Sequence, residues 1–395
     1  MHNLSLPPPH PDAVAHSQRL ISVIRQAINE AGGAIPFSEF MTKTLYAPGL
    51  GYYSAGVRKL GADGDFITAP EISPLFSQCV ARQCQQVLAA FDESVILEFG
   101  AGSGIMAADI LKELERLECL PTQYFILEVS ADLQKRQRET LHAQVPQLLD
   151  RVQWLEGLPS QPLRGVMLAN EVLDAMPVQR FRLDEREVSE FYVGLANSNN
   201  NPSETPFVWQ VLPTRDESLQ VAVDALRPSL PIGYVSEMNL ALPTWIQSVA
   251  DSLAAGMVLL IDYGFPSREY YHPQRDQGTL MCHYRHHAHS NPLILIGLQD
   301  MTAHVNFTTV AEAAVAAGLH VSGYTNQGNF LMACGLPELL SGLDPNDTKR
   351  YLLKTQPAKT LILPSEMGEL FKVMALTRHL DRPLLGFVRD ERGRL

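Results

Sequence analysis

Short apolar runs alternate regularly with helical patterns in the middle of the chain. Apolar runs typical of buried strands are VILEF (95–99), YFILEV (124–129), RVQWL (151–155) and GVMLA (165–169). Between the first two, apolar residues recur at helical spacing from Ile105 to Leu117. Strands that alternate with helices form parallel sheets, because each crossover helix returns the chain to the same end of the sheet. We therefore predict an α/β protein with a mostly parallel sheet.

Two segments interrupt this alternation. At 178–235, FYVGL and FVWQVL flank the polar loop ANSNNNPSETP, a pattern that predicts an antiparallel hairpin insertion. Residues 265–307, rich in His, Tyr and Arg, are predicted to form a second, irregular insertion. The alternation resumes and closes with a helix at 243–255, the strand GMVLLIDYG (256–264), a helix near 308–317, LHVSGYT, further helices and a late strand pair, FKVMAL and LLGFV.

The N-terminal segment precedes the alternation. Apolar residues at helical spacing between Leu20 and Ile28 predict a helix that ends at Gly32 and Gly33. Residues 36–76 are rich in Gly, Pro and aromatic residues and are predicted to be irregular, followed by a helix over 74–91. We therefore expect two domains: an extension over 1–90 that covers the site, and a main domain over 91–395 with insertions at 178–235 and 265–307.

Composition limits the class of function. Lys and Arg total 31 against 43 for Asp and Glu, a formal charge of −12, which argues against a nucleic-acid partner because phosphate binding requires clustered positive charge. The sequence has no apolar run of 18 residues, so no membrane span is predicted. The five cysteines form no C-x-x-C pair, and the first residues lack the pattern of a signal or transit peptide. We expect a cytoplasmic enzyme with no metal.

A glycine-rich turn follows the first predicted strand and precedes a helix. It reads Glu98-Phe99-Gly100-Ala101-Gly102-Ser103-Gly104. Glycines here permit a tight turn and a close approach of a ligand to the backbone. The G-x-G-x-G spacing differs from the dinucleotide pattern G-x-G-x-x-G, which directs a helix N-terminus at a pyrophosphate. An acidic residue beside glycines suits S-adenosylmethionine better, because that molecule carries a ribose and an amino acid end and no phosphate.

Glu128 ends the next predicted strand, 24 positions after Gly104. An acid at this point can accept hydrogen bonds from both ribose hydroxyls. A solvated carboxylate at a strand end is the ordinary alternative. Together with the glycine turn, Glu128 predicts a nucleoside site.

Polar residues also follow the fourth predicted strand, in Asn170-Glu171-Val172-Leu173-Asp174. In open α/β sheets, ligands bind outside the carboxyl ends of the strands, so we predict that Asn170, Glu171 and Asp174 face the reacting substrate. The alternative is a helix cap, in which Asn170 or Asp174 accepts from free N–H groups. A cap requires one such residue and the segment has three, which favours a functional role.

At this point the sequence resembles the MidA family, over nearly the whole chain. The resemblance is carried by long motifs: FMTKTLYAPGLGYYS (40–54), GDFITAPEISPLF (64–76), LEFGAGSG (97–104), NEVLDAMPV (170–178), IDYG (261–264), GTLMCHYRHHAH (278–289) and QDMTAHVNF (299–307). The family fold is the Rossmann-like class I methyltransferase sheet. The resemblance implies seven mostly parallel strands with one antiparallel, a helical N-terminal extension and an antiparallel β insertion.

The resemblance also implies roles for these residues. Mitochondrial members of the family are complex I assembly factors that act as protein arginine methyltransferases. By this resemblance Gly100, Gly102 and Gly104 line the S-adenosylmethionine, Glu98 faces its methionine end and Glu128 holds its ribose. Asp65, Thr68 and Glu71 lie in the N-terminal signature and close over the site. Glu171 and Asp174 hold a guanidinium, so the implied partner is a protein with a target arginine, for which a homologue of a complex I subunit is one candidate.

Two other functions remain open. One is a non-catalytic assembly factor that keeps the fold and acts by docking on a partner, and the other is a nucleotide-dependent oxidoreductase. The histidines at 283, 286, 287 and 289 invite a metal hypothesis. No Cys or carboxylate stands at ligand spacing beside them, so we predict no metal there.

Overall fold

The computed structural model describes residues 6–55, 68–196, 205–341 and 348–395. Asp65 and most of the polar loop predicted between FYVGL and FVWQVL lie outside the described residues. The chain divides into two compact units. Unit 1 comprises Met1–Phe66, Asp174–Leu242 and Arg268–His304, and unit 2 comprises Ile67–Leu173, Pro243–Ser267 and Val305–Leu395.

The helices are numbered along the chain. They are α1 (Pro11–Glu30), α2 (Phe37–Tyr46), α3 (Ala69–Ile72), α4 (Pro74–Leu88), α5 (Ile105–Arg116), α6 (Ala131–Gln144), α7 (Glu217–Leu226), α8 (Leu242–Asp251), α9 (Ser267–Tyr270), α10 (Phe307–Ala316), α11 (Gln327–Ala333), α12 (Leu336–Ser341), α13 (Thr348–Ile362) and α14 (Met367–Leu370). Within the described ranges, none of them is long and apolar enough to cross a membrane.

The strands are numbered in the same way. They are β1 (Ala34–Pro36), β2 (Val95–Phe99), β3 (Gln123–Leu127), β4 (Val152–Leu155), β5 (Leu163–Asn170), β6 (Gln179–Leu183), β7 (Val188–Leu195), β8 (Phe207–Pro213), β9 (Val235–Met238), β10 (Leu253–Phe265), β11 (Met281–Tyr284), β12 (His287–His289), β13 (Asp300–Thr302), β14 (Val305–Asn306), β15 (His320–Asn326) and β16 (Phe371–Arg378).

Unit 2 is built on the sheet that the alternation predicted. Its strand order is β15-β16-β10-β5-β2-β3-β4. The pairs from β10 to β4 are parallel, and β16 runs antiparallel to both of its neighbours. The two-residue β14 pairs with β10, which makes eight strands among the residues described, against the seven expected. The prediction of an α/β fold with a mixed, mostly parallel sheet is confirmed.

Helices cover this sheet because each has one apolar side. On α5, Met106, Ile110, Leu111 and Leu114 are buried at helical spacing. They join one continuous core with α4 and the inward residues of the central strands. Burial of each such side chain contributes on the order of 2 kcal/mol to the stability of the fold. Packing of these apolar faces therefore holds the helices against the sheet.

Unit 1 combines the N-terminal helices with the inserted strands. One sheet has the order β1-β7-β6-β9, with β8 also paired to β7. The predicted hairpin corresponds to β7 and β8, which pair antiparallel from Ser189↔Pro213 to Leu195↔Phe207. A core of buried residues from α1, α2, β7 and the 280–303 segment holds the unit together.

The unit boundaries differ from the predicted domains. Residues 1–66 group with both insertions, whereas α3 and α4 group with the main sheet. The start of the strand alternation, from which a boundary near residue 90 is predicted, carries no information about the packing of α4.

Several local predictions were wrong. Residues 37–46 form a helix, α2, because Phe37, Phe40, Met41 and Leu45 recur at helical spacing. Residues 281–302 include three short paired strands, β11 to β13, in place of irregular structure. LLGFV contributes a 3-10 turn at Leu385–Phe387 and no strand, and the partner of FKVMAL is β15. The helix predicted to 255 ends at Asp251, where β10 begins two residues later.

Candidate functional site

The candidate site lies at the carboxyl edge of the main sheet, within unit 2. The register aligns Phe99 of β2 with Leu127 of β3 and with Ala169 of β5. Asn170, at the end of β5, pairs with Ile261 of β10. The glycine turn, Glu128 and Glu171 therefore follow three adjacent strands at one edge, which is where open α/β sheets bind ligands. Asp262 lies at the same edge in β10, directly after the last residue of β10 that pairs with β5.

The glycine turn has the conformation that its sequence requires. Gly100, Gly102 and Gly104 have φ values of +61°, +54° and +83°. At Gly104, which caps α5, an added Cβ would lie 2.9 Å from the Cα of Gln137. A side chain at Gly104 is therefore excluded both by its backbone angle and by contact with the neighbouring helix.

Gln137 of α6 joins the glycine turn to Glu128. Its side-chain amide donates to the carbonyl of Gly102 at 3.1 Å and to a Glu128 carboxylate oxygen at 3.0 Å. The Trp154 indole donates to the Gln137 oxygen at 2.8 Å. The second carboxylate oxygen of Glu128 accepts from the backbone N–H of Ser130 at 3.0 Å. This network fixes the distance between the turn and Glu128.

Glu128 is 6% exposed, and burial raises its pKa above the ordinary value while these donors oppose the rise. Each carboxylate oxygen can accept a second hydrogen bond. The carboxylate therefore retains acceptor capacity for two hydroxyl groups.

Glu98 lies deeper than its position beside the glycines suggested. Its side chain is 1% exposed and accepts a hydrogen bond from the Tyr124 hydroxyl at 2.7 Å. Burial raises the pKa of Glu98 to about 7, although the Tyr124 hydrogen bond opposes the rise and Glu128 adds to it. Contact between Glu98 and a cofactor stays a prediction.

Of the three residues in the N-terminal signature, two are described. Thr68 is half-buried and precedes α3, without capping that helix through its side chain. Glu71, on α3, accepts a hydrogen bond from the Ser103 hydroxyl in the glycine turn. The signature thus reaches the glycine turn through Glu71.

Asn170 and Glu171 occupy the end of β5. The Asn170 amide donates to a Glu171 carboxylate oxygen at 3.0 Å, and the Asn170 side-chain oxygen is buried without a partner among the described residues. Glu171 has a φ of +54°. This conformation costs a residue with a side chain about 1–2 kcal/mol, so the surrounding structure must hold it in place.

Asp262, at the end of β10, supplies much of that support. Its buried carboxylate accepts from the backbone N–H groups of Val172 at 3.2 Å, Leu173 at 2.8 Å and Tyr263 at 2.9 Å. The N–H of Glu171 itself donates to the Ile261 carbonyl at 2.9 Å. Three successive backbone groups are thereby tied to β10, and the direction of the Glu171 side chain is set by the sheet.

Asp174 belongs to unit 1. It is 3% exposed, and its backbone carbonyl accepts from the N–H of Ala303 at 2.9 Å. Burial raises the pKa of Tyr53 well above its ordinary value, and the nearby Asp300 and Asp174 raise it further. The sequence predicts that Asn170, Glu171 and Asp174 face the substrate together. Asn170 and Glu171 are hydrogen-bonded to each other in unit 2, and the role of Asp174 beside them stays a prediction.

The histidines at 283–289 also lie in unit 1. His283 is on β11, and His287 and His289 are on β12. Burial lowers the pKa of both His283 and His289. Within the described ranges, no three His, Cys, Asp or Glu side chains are grouped as metal ligands.

The sequence analysis did not identify Gln137 or the positioning role of Asp262. Gln137 occupies a buried position in line with Leu133 and Leu141 on α6, and a polar residue in an apolar stripe is a signal that could have been used.

Solved structures identify the class of fold. The crystal structure of a COG1565 superfamily member from Burkholderia thailandensis, bound to S-adenosyl-homocysteine, is 44% identical to this chain with a TM-score of 0.93. The match covers 99% of this chain and 100% of that one. A native structure of a COG1565 protein from the same organism gives 44% identity and a TM-score of 0.91. The fold and the site at its sheet edge therefore define an α/β methyltransferase.

The chain belongs to the Methyltransf_28 family of S-adenosyl-L-methionine-dependent methyltransferases, whose family model matches residues 79–325. Curated relatives are the mitochondrial protein arginine methyltransferase NDUFAF7 of Danio rerio and its Drosophila melanogaster homologue. The first is 28% identical over 88% of this chain and 84% of that protein, and the second 26% identical over 90% and 85%.

These comparisons confirm the family resemblance and S-adenosylmethionine as the cofactor. They favour a methyltransferase over the nucleotide-dependent oxidoreductase that the sequence left open. The prediction of a cytoplasmic protein is wrong by this comparison, because the curated relatives are named as mitochondrial.

Proposed function

We propose that this protein transfers a methyl group from S-adenosylmethionine to the guanidinium of an arginine in a protein substrate. The observation that carries the proposal is the conformation of Glu171, a carboxylate held with a φ of +54° at the end of β5. A strained residue at a ligand-binding edge supports a functional role when neighbouring contacts maintain it. The names of the curated relatives support arginine as the acceptor.

The chemistry of the acceptor agrees with a carboxylate at this position. A guanidinium presents a planar fork of donors that a carboxylate can grip with two parallel hydrogen bonds. It is a poor nucleophile, because its lone pairs are delocalised and its pKa lies above about 12. A carboxylate that draws the positive charge away from one nitrogen makes that nitrogen a better nucleophile, and it can accept the released proton.

The residues at the sheet edge are suited to the cofactor. When bound, S-adenosylmethionine supplies an electrophilic methyl group on a sulfonium. Two acceptors lie at this edge: the carboxylate of Glu128 and the side-chain oxygen of Asn170, which has no partner among the described residues. The glycine turn adds backbone that a ligand can approach closely. We assign the ribose to Glu128 and the methionine end to the turn at Gly100–Gly104.

Positioning is the main task of the protein in such a displacement. The attacking nitrogen must lie about 3–3.5 Å from the methyl carbon and in line with the bond that breaks. Glu171 is proposed to fix the guanidinium, and Asp262 to fix Glu171 through the backbone at Val172 and Leu173. A second carboxylate contact from Asp174 remains the prediction of the sequence. The target protein, for which a complex I subunit homologue is a candidate by family resemblance, belongs to the same proposal.

The first prediction concerns Glu171→Gln. This change keeps the size of the side chain and removes its charge, so transfer of labelled methyl from S-adenosylmethionine to protein should fall about 100-fold. The acceptor is a lysate from a strain that lacks this protein, and the readout is labelled protein on a gel. Binding of S-adenosylhomocysteine, measured by calorimetry, should change by less than about threefold, because Glu171 contacts the acceptor.

Glu93→Gln is the matched control, since Glu93 is exposed and precedes β2 at the opposite edge of the sheet. It should leave both measurements unchanged. Label in RNA or in a small metabolite would contradict a protein acceptor. Cofactor binding with no transfer to any lysate, together with complementation of a deletion strain by Glu171→Gln, would favour the non-catalytic assembly factor.

A further inference from the structure

We propose that Glu71 is the carboxylate that binds the α-ammonium of the methionine end of the cofactor, and that Ser103 positions it. This inference rests on cofactor binding and is independent of the arginine acceptor. It replaces the role that the sequence suggested for Glu98.

The methionine end of S-adenosylmethionine or S-adenosylhomocysteine carries both an ammonium and a carboxylate. The glycine turn offers backbone N–H groups and the N-terminus of α5, which suit the carboxylate. An ammonium requires acceptors, and a carboxylate is the strongest of them.

Glu98 is poorly placed to bind the ammonium. Its side chain is 1% exposed and its carboxyl group accepts from the Tyr124 hydroxyl. A carboxyl group enclosed in this way presents no open surface to a ligand above the turn.

Glu71 lies beside the glycine turn. It is half-buried on α3, and one carboxylate oxygen accepts from the hydroxyl of Ser103, which lies between Gly102 and Gly104. The Ser103 hydroxyl also accepts from the N–H of Ile105 at 3.4 Å, so it links Glu71 to the first residue of α5. The other oxygen of Glu71 has no hydrogen-bond partner among the described residues. Glu71 thus brings an available acceptor to the turn.

The nearest basic side chain on α5 is otherwise engaged. Lys112 pairs with Asp109 at 3.4 Å and also donates to Gln144. The charge that Glu71 adds beside the turn is therefore not neutralised from this helix, which leaves it available to an ammonium.

The test compares two ligands that differ in the methionine end. S-adenosylhomocysteine carries it, and 5′-methylthioadenosine keeps the adenosine and the thioether without it. Calorimetry at pH 7.5 measures the Kd of each for the full chain. Glu71→Gln should weaken S-adenosylhomocysteine about 10- to 100-fold and leave 5′-methylthioadenosine unchanged, because the lost hydrogen bond is to a charged group.

Two further variants complete the test. Ser103→Ala should weaken S-adenosylhomocysteine about threefold to tenfold and spare 5′-methylthioadenosine, because Glu71 loses its positioning contact. Glu93→Gln should alter neither Kd. The proposal is overturned if Glu71→Gln leaves both ligands unchanged, or if it weakens both equally, since equal loss would mean damage to the turn. All these results are obtained without an acceptor, so they are separate from the test of arginine methylation.

Discussion

The two acids beside the glycine turn, Glu98 and Glu128, have different hydrogen-bond partners. Glu98 and Glu128 both end strands beside the glycine turn, and both were predicted to touch the cofactor. Glu98 bonds Tyr124 in the interior, whereas Glu128 is tied to the turn through Gln137. Alternation along a strand predicts which face a side chain takes, but which of two helix-covered faces opens towards a ligand depends on packing that sequence does not record.

The raised pKa of Glu98 leads to a prediction for stability. Its ordinary value is 4.5, and burial raises it to about 7 in the folded protein. The folded state therefore binds a proton more tightly than the unfolded state, and the stability that this provides is lost as pH rises from about 4.5 through about 7. Glu98→Gln is neutral at every pH and should lack this loss.

Urea denaturation at pH 5, 6, 7 and 8 measures the effect. Relative to wild type, the free energy of unfolding of Glu98→Gln should rise by about 2.5 kcal/mol between pH 5 and pH 8. Tyr124→Phe keeps the carboxyl group and removes the hydrogen bond that lowers the pKa of Glu98, so its stability should depend on pH at least as strongly as that of the wild type. A constant difference between Glu98→Gln and wild type over this range would show that Glu98 titrates normally.

At the scale of elements, helix α6 connects the glycine turn with the strand end at Glu128. Gln137 makes three hydrogen bonds, to Gly102, Glu128 and Trp154. In Gln137→Leu, the Trp154 indole and the Glu128 carboxylate each lose a buried partner. The free energy of unfolding should fall by about 1–3 kcal/mol, and S-adenosylhomocysteine should bind more weakly.

Urea denaturation and calorimetry check this prediction together. Lys135→Gln is the control on the same helix, because Lys135 is exposed and its 4.0 Å pair with Glu139 is exposed as well. Surface pairs of this kind contribute little to stability. Wild-type stability and cofactor affinity in Gln137→Leu would mean that Glu128 and the turn are held by other contacts.

Some helices and strands could be predicted from the sequence and others could not. The central strands and α5 were predicted because their apolar runs are continuous or strictly periodic. Residues 37–46 were assigned to irregular structure because Gly and Pro surround them, yet the spacing of Phe37, Phe40 and Met41 is helical and all three are buried. LLGFV is apolar without being a strand, because β15 already pairs with β16 on that side.

At the scale of the whole molecule, the order of elements was readable from sequence and the grouping of distant segments was not. The N-terminal helices, the 174–242 segment and the 268–304 segment form unit 1 although more than 100 residues separate the first from the second. Their contacts join Ser17 to the carbonyl of Ile296 and Tyr46 to the carbonyl of Ala175. Contacts of such sequence separation depend on the complete fold, and no local pattern encodes them.

At the sheet edge too, some groups could be predicted from the sequence and others depend on the pairing of distant strands. The glycine turn and Glu128 are predicted as a nucleoside site from their spacing, because such a site requires particular residues at strand ends. The strained backbone of Glu171 and its support by Asp262 arise from the pairing of β5 with β10. Val172 and Asp262, which this pairing brings into contact, lie 90 residues apart in the sequence.

We have proposed that Glu171 presents an arginine of a protein to the methyl donor. The decisive experiment is mass spectrometry of arginine methylation in a deletion strain that carries wild type, Glu171→Gln or no copy of the gene. We predict that a methylarginine present with wild type is absent without the gene and absent with Glu171→Gln, at equal protein levels. Identical arginine methylation in all three strains, or full methylation with Glu171→Gln, would contradict the claim.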